Sequence, residues 1–372
     1  MYVIFGVGAF QTFIFSLLLL IKKETKTADK FLSLFFFVIT LYLLNLYSIK
    51  FSFWKMFPDS LFVISLVLLS YGPVLYFYVR ALIGKPLSRK QILYHLLPVI
   101  GVFLILLPAI FSSEADKLLF FTDRSINLPI NVSVSTFLQY LSAPFYFSWI
   151  LILLRKHKQY LKDNHSTIDE INLQWMQKLL YGVISILFID CMNALVMNFS
   201  SFEFPFYISW YIKFIFLSFI IIIGYYGINQ GVVFANIHQF TDTEKSKLKD
   251  EKIKIIPDEI VRKQTGILVE YMEVGKAYLN SELRIQDISV DLNIPVHVLS
   301  QLINSQLNQN FYDFVNKYRI EETKSRLLDP QYCDLTIVAI AHDCGFNSKA
   351  TFNRLFKKYT NLTPSQFKML KI

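Results

Sequence analysis

The side chains with the clearest chemistry lie near the carboxyl end. Lys349, Ala350, Asn353, Arg354, Lys357 and Lys358 fall close together. On a helix, positions 349, 350, 353 and 354 share one face, because residues three and four apart stack. Arg354 carries a planar donor fork that matches the acceptor edge of guanine, and the Asn353 amide matches adenine. Lys349, Lys357 and Lys358 are compact charges suited to phosphate oxygens. From Cys344 to the end six residues are basic and none is acidic, which makes a local electropositive footprint.

These residues must be presented by a particular scaffold, and an internal repeat identifies it. Ile288-Ser289 followed by Leu292-Asn293-Ile294 returns as Ile340-Ala341 followed by Cys344-Gly345-Phe346, at an offset of 52. Leu299-Ser300-Gln301-Leu302-Ile303 returns as Phe352-Asn353-Arg354-Leu355-Phe356, at an offset of 53. The small residue of each copy lies where a second helix must approach. Asn293 and Gly345 occupy turns that need a positive φ, which Gly and Asn supply most cheaply. The pattern predicts two helix-turn-helix units, about 283–305 and 336–358, with Thr336 capping the second. Phe311–Leu328 reads as a single amphipathic helix between them, with Phe314, Val315, Tyr318 and Leu327 or Leu328 inward, stopped by Asp329-Pro330. Two second helices held about one helical turn apart can read successive major grooves of duplex DNA. The first presents Val296, His297, Ser300 and Gln301 and holds no Lys or Arg, so the second is expected to dominate salt-dependent affinity.

Tyr278–Met369 resembles the DNA-binding domain of AraC/XylS-type transcription regulators. The resemblance is carried by Ile340-Ala341, Gly345-Phe346, the run Phe352 to Lys357, and Leu362-Thr363-Pro364-Ser365-Gln366-Phe367. Asn308 and Asn361 stand where the family favours Gly, and Asn tolerates the same backbone. The first recognition helix lacks the basic residue usual in the family. The resemblance implies double-stranded promoter DNA and RNA polymerase as partners. A homodimer and an unidentified ligand complete the partner expectations.

The rest of the chain obeys a different solvent. Of its 372 residues 54% are hydrophobic and only 17% charged, where soluble domains carry about 25% charged residues. Seven segments are long enough to cross a bilayer: Tyr2–Ile21, Phe31–Ile49, Leu61–Ile83, Ile92–Phe111, Val134–Leu154, Leu179–Phe199 and Phe206–Ile228. Lys22, Lys23, Lys26, Lys30, Arg80, Lys85, Arg89, Lys90, Arg155, Lys156, Lys158, Lys162 and Lys178 lie at or beyond the ends of the odd-numbered spans. The opposite loops hold only Lys50, Lys55, Lys117 and Arg124. Basic residues stay cytoplasmic, so the N-terminus is expected outside and the C-terminal domain in the cytoplasm. The layout is similar to bacterial AraC-type regulators whose N-terminal sensor is a seven-helix domain of the inner membrane. Trp54, Trp149, Trp175, Trp210, Tyr225 and Tyr226 flank the spans, as an interfacial belt or as a ligand cage.

Asp190 and Lys213 are candidate sensing residues, because charges inside a span are costly. At 1.5 Å per residue they lie roughly 13 Å and 10 Å from the outer ends of their spans. They can pair at similar depth, or Lys213 can snorkel while Asp190 is protonated or bonds Asn193.

The expected architecture is all-α: a seven-helix transmembrane bundle over 1–235, a charged cytoplasmic linker over 236–265 and a helical DNA-binding domain over 266–372. Lipid is a partner by composition. The net charge of +9 comes mostly from residues 1–240, so it says little about the C-terminal end. His95, His157, His165, His238, His297 and His342 are scattered, and Cys191, Cys333 and Cys344 form no CxxC. No nucleophile motif or phosphate loop appears, so no enzyme, metal or cofactor is expected. The alternative is a membrane transporter or anchor whose helical tail binds protein instead of DNA.

Overall fold

The computed structural model describes residues 2–23, 25–48, 51–122, 129–169, 171, 173–199, 207–230 and 258–369. It is 82% helical, with no strand among the described residues. Asp190 and Lys213 lie outside the residues whose side chains are described, as does the expected linker over 236–257.

The chain divides into two compact units: residues 1–154 with 173–243, and residues 155–172 with 244–372. The first contains α1 (Tyr2–Ile21), α2 (Thr27–Ser48), short α3 (Phe53–Met56), α4 (Ser60–Leu82), α5 (Arg89–Ile110), short α6 (Glu114–Thr122), most of α7 (Ile130–Asn164), α8 (Gln174–Phe199) and α9 (Tyr207–Gln230). Five of these, in α1, α2, α4, α5 and α7, are long and apolar enough to cross a membrane among the described residues. The sixth and seventh expected spans fall on α8 and α9, which run partly through residues whose side chains are not described. Pro73, Pro98, Pro108 and Pro144 all lie inside helices, as apolar spans with packed neighbours allow.

Small and polar residues join these helices. Thr12 and Thr40 share a 2.8 Å hydrogen bond between α1 and α2, and Ser16 meets Ser33 at 3.0 Å one turn on. Buried hydroxyls need hydrogen-bond partners, and these find them across the helix pair. A side chain at Gly224 or Gly227 would collide with Phe15 or Leu32, so these glycines serve close packing. Lys117 is 6% exposed and bonds the Asp59 carboxylate at 2.7 Å. Outward faces remain apolar: Val7, Phe10, Leu97, Leu104, Phe137 and Phe145 are all exposed.

The second unit contains α10 (Asp258–Glu273), α11 (Ile285–Leu292), α12 (Val296–Gln301), a π turn (Leu302–Gln306), α13 (Phe311–Leu328), α14 (Ile337–Asp343), α15 (Lys349–Thr360) and α16 (Pro364–Met369). Helix α10 begins inside the stretch read as linker, because Val261, Leu268 and Met272 form a buried stripe along it. One core gathers α10 to α12 with Phe311, Phe314 and Val315. The other gathers Ile320, Leu327, Ile340, Phe346, Phe352 and Phe356. Helix α13 contributes to both. Arg155–Asn172, the end of α7 and the segment after it, also belongs to this unit, and buries Leu161 and Ile168 in the second core.

Candidate nucleic-acid interface

Each helix-turn-helix closes as the repeat requires. Asn293 ends α11 at φ 50, and Gly345 turns the second unit at φ 90. Asn308 and Asn361 also take positive φ, 51 and 60, so the amides fill the left-handed positions that Gly would otherwise hold. Thr336 caps α14 by accepting from the Ala339 amide at 3.1 Å, and Ser348 caps α15. Helix α13 spans Phe311–Leu328, stops before Pro330, and turns Leu327 inward.

The second unit presents its polar face outward. Phe352, Leu355 and Phe356 are buried, while Lys349, Ala350, Asn353, Arg354, Lys357 and Lys358 are exposed. Two of these cations are anchored on the first turn of α13. An Arg354 Nη2 donates to the Tyr312 hydroxyl at 3.1 Å, and Lys358 Nζ donates to Asp313 Oδ1 at 2.9 Å. Partial burial would raise the Asp313 carboxyl, but its bonds from Lys358 and Asn310 outweigh that and hold it below the usual carboxylate range. Asp313 therefore stays ionised and keeps Lys358 oriented. Arg354 and Lys358 are thus both held by side chains of α13.

The first unit differs. Its second helix is α-helical only over Val296–Gln301, then widens into the π turn, where Leu307 N–H reaches Leu302 O at 3.3 Å. The second helix of the other unit keeps regular α-helical winding over all of Lys349–Thr360. Val298, Leu299, Leu302 and Ile303 stay in the core across the change. His297 is exposed, and Ser300 and Gln301 are half-buried. No cation stands beside them on this helix, so the two units are electrostatically unequal.

The model of a family described as "Helix-turn-helix domain" matches residues 278–369. The C-terminal part therefore matches a helix-turn-helix domain over both units. It is similar to an uncharacterised HTH-type transcriptional regulator of Staphylococcus aureus (strain COL), at 31% identity over 126 residues, 34% of this chain and 14% of that protein. It is also similar to the HTH-type transcriptional activator RhaS of Mannheimia succiniciproducens, at 26% identity over 88 residues, 24% of this chain and 32% of that protein. The chain thus matches only a small part of either relative's length. No solved structure matches it.

The helix-turn-helix domain also has a centre that the sequence reading missed. Arg319, halfway along α13, is fully buried. Its Nε donates to the Tyr278 carbonyl at 2.7 Å and an Nη2 donates to the Asn280 carbonyl at 2.7 Å. Its described partners are all neutral, and burial pulls its pKa down to about 10. It remains a cation, solvated by protein dipoles in place of water. Gly345 lies against it: a Cβ there would stand 2.8 Å from Arg319 Nε and 2.7 Å from the Tyr278 carbonyl. The glycine thus answers a close approach as well as its φ. An arginine in an otherwise amphipathic helix carries no sequence signal that separates a buried cation from a solvated one.

Proposed function

We propose that this protein is a membrane-anchored, sequence-specific DNA-binding regulator of transcription. The observation that carries the reading is the exposed face of Lys349, Ala350, Asn353 and Arg354 on the second helix of a helix-turn-helix unit, with Lys357 and Lys358 beside it. In this reading Arg354 bonds guanine, Asn353 bonds adenine and the three lysines bind phosphates. His297, Ser300 and Gln301 read bases from the first unit, whose second helix holds no Lys or Arg. The names of the two relatives support the regulatory assignment.

The membrane part of the reading rests on five apolar helices with exposed Leu, Ile, Val and Phe, for which lipid is the natural solvent. With α8 and α9 the bundle has seven spans, and the charge bias of the loops puts the C-terminal domain in the cytoplasm. The bundle senses a ligand and passes its state to the promoter-bound domain, with Asp190 and Lys213 as candidate sensing residues and RNA polymerase as the downstream partner. The test is direct. Full-length protein in phospholipid nanodiscs is challenged with a randomised duplex library over a salt titration. Enrichment of a defined sequence supports the reading; retention of no duplex even in dilute buffer refutes it.

A further inference from the structure

Residues 155–172 fold as part of the DNA-binding unit, although they lie in the chain between the fifth and sixth apolar spans. Helix α7 runs unbroken from Ile130 to Asn164, about 52 Å at 1.5 Å per residue, well beyond a hydrocarbon core of about 30 Å. Its last turns and the segment after them are built into the helix-turn-helix domain by several independent contacts. Leu161 and Ile168 are buried in its second core. His165 and Arg284 form an antiparallel bridge, and the Ser166 amide donates to the Leu283 carbonyl at 3.1 Å. The Thr167 hydroxyl donates to the Ser281 carbonyl at 2.7 Å.

The same two residues complete the solvation of Arg319. An Nη2 donates to Ser166 Oγ at 2.9 Å, and an Nη1 donates to the Ser166 carbonyl and Thr167 Oγ1, both at 3.3 Å. Asn316 also donates to the Ser166 carbonyl, at 3.0 Å. Arg319 otherwise holds the lead-in to the first helix-turn-helix, through Tyr278 and Asn280, and it touches the turn of the second, at Gly345. One buried cation therefore joins both units, the spacer between them and the segment that follows α7. Withdrawing Ser166 and Thr167 would strip Nη1 of acceptors from outside α13. A buried charged donor left short of acceptors is costly, so the guanidinium would move toward water and release Tyr278 and Asn280.

We propose that Ser166 and Thr167 are positioning residues for DNA readout: seated on Arg319, they fix the spacing between the two recognition helices. The segment from His165 to Ile168 is then a strap through which α7 acts on the choice of DNA site. This rests on the DNA-binding reading above, and its test separates the two.

The duplex enriched on the full chain in nanodiscs of phosphatidylethanolamine and phosphatidylglycerol is remade with one base pair inserted between its half-sites. Wild type should lose about tenfold in affinity on the insertion, the scale of one lost base contact. Ser166→Ala with Thr167→Val should bind the original duplex more weakly and discriminate the insertion less than threefold. The conservative pair Ser166→Thr with Thr167→Ser keeps both hydroxyls and should restore the discrimination. Should the first pair fail to fold, Thr167→Val alone removes one acceptor and decides the matter, since it must reduce the discrimination relative to the conservative pair. Equal discrimination by all variants overturns the strap while leaving DNA binding intact. A wild-type chain that enriches no duplex overturns the DNA-binding reading, and the strap with it.

Discussion

At the scale of single residues, chemistry and packing are divided cleanly along α15. Phe352, Leu355 and Phe356 are buried, and the exposed polar set alternates with them at helical spacing. Arg354→Ala should weaken binding of the enriched duplex by about 1–3 kcal/mol and relax preference at one guanine. Lys357→Ala or Lys358→Ala should instead weaken all duplexes alike and reduce the salt slope by about 1 each. Gln301→Ala should leave that slope unchanged; filter binding across a salt series checks all four. Gly345→Ala tests the packing centre. Its φ of 90 and the two atoms under 3.0 Å from an added Cβ are both unfavourable, and together they should cost on the order of 2 kcal/mol or more. Hydrogen exchange of the Phe346 and Ala341 region should rise sharply.

Among the elements, the strap has a pH-sensitive point. Burial pulls the His165 pKa down to about 4 from 6.5, with Arg284 adding to the effect and Asp287 opposing it. The imidazole is thus neutral when seated, and an unseated strap binds a proton more readily. The seated form is favoured above pH 6.5 and loses stability as pH falls from 6.5 toward 4. Between pH 7 and 5 the loss should be on the order of 1–2 kcal/mol. It is read as a falling protection factor at the Ser166 amide, and His165→Asn should flatten the profile. The two recognition elements also differ in kind: α15 is a regular capped helix of 12 residues, and α12 passes into a π turn after 6. Sequence periodicity placed the same residues in the core of both but gave no sign of the wider turn, which keeps Leu302 and Ile303 buried.

For the whole molecule, the prediction is topological. Reporters fused after Lys55 and after Arg124 should be active only outside the cytoplasm, and those after Lys85 and after Met369 only inside. A reporter after Met369 active outside would contradict the loop-charge argument and remove the C-terminal domain from DNA. The helix-turn-helix unit takes residues 155–172 from between two apolar helices, the end of α7 included.

What the sequence by itself determined is whatever depends on local pattern. Apolar runs of about 20 residues placed the long helices of the first unit but not short α3 and α6, and the repeat at offsets of 52 and 53 placed both turns. The caps at Thr336 and Ser348, the stop at Pro330 and the positive φ at Asn293 and Gly345 obey the same short-range rules. Only the tertiary structure decided that Arg319 is a buried hub and that Ser166 and Thr167, some 150 residues earlier, supply its acceptors. The physical reason is that a guanidinium reads as surface in any one-dimensional pattern. Its burial becomes affordable only when carbonyls and hydroxyls from distant segments converge on it, and that convergence is a property of the fold.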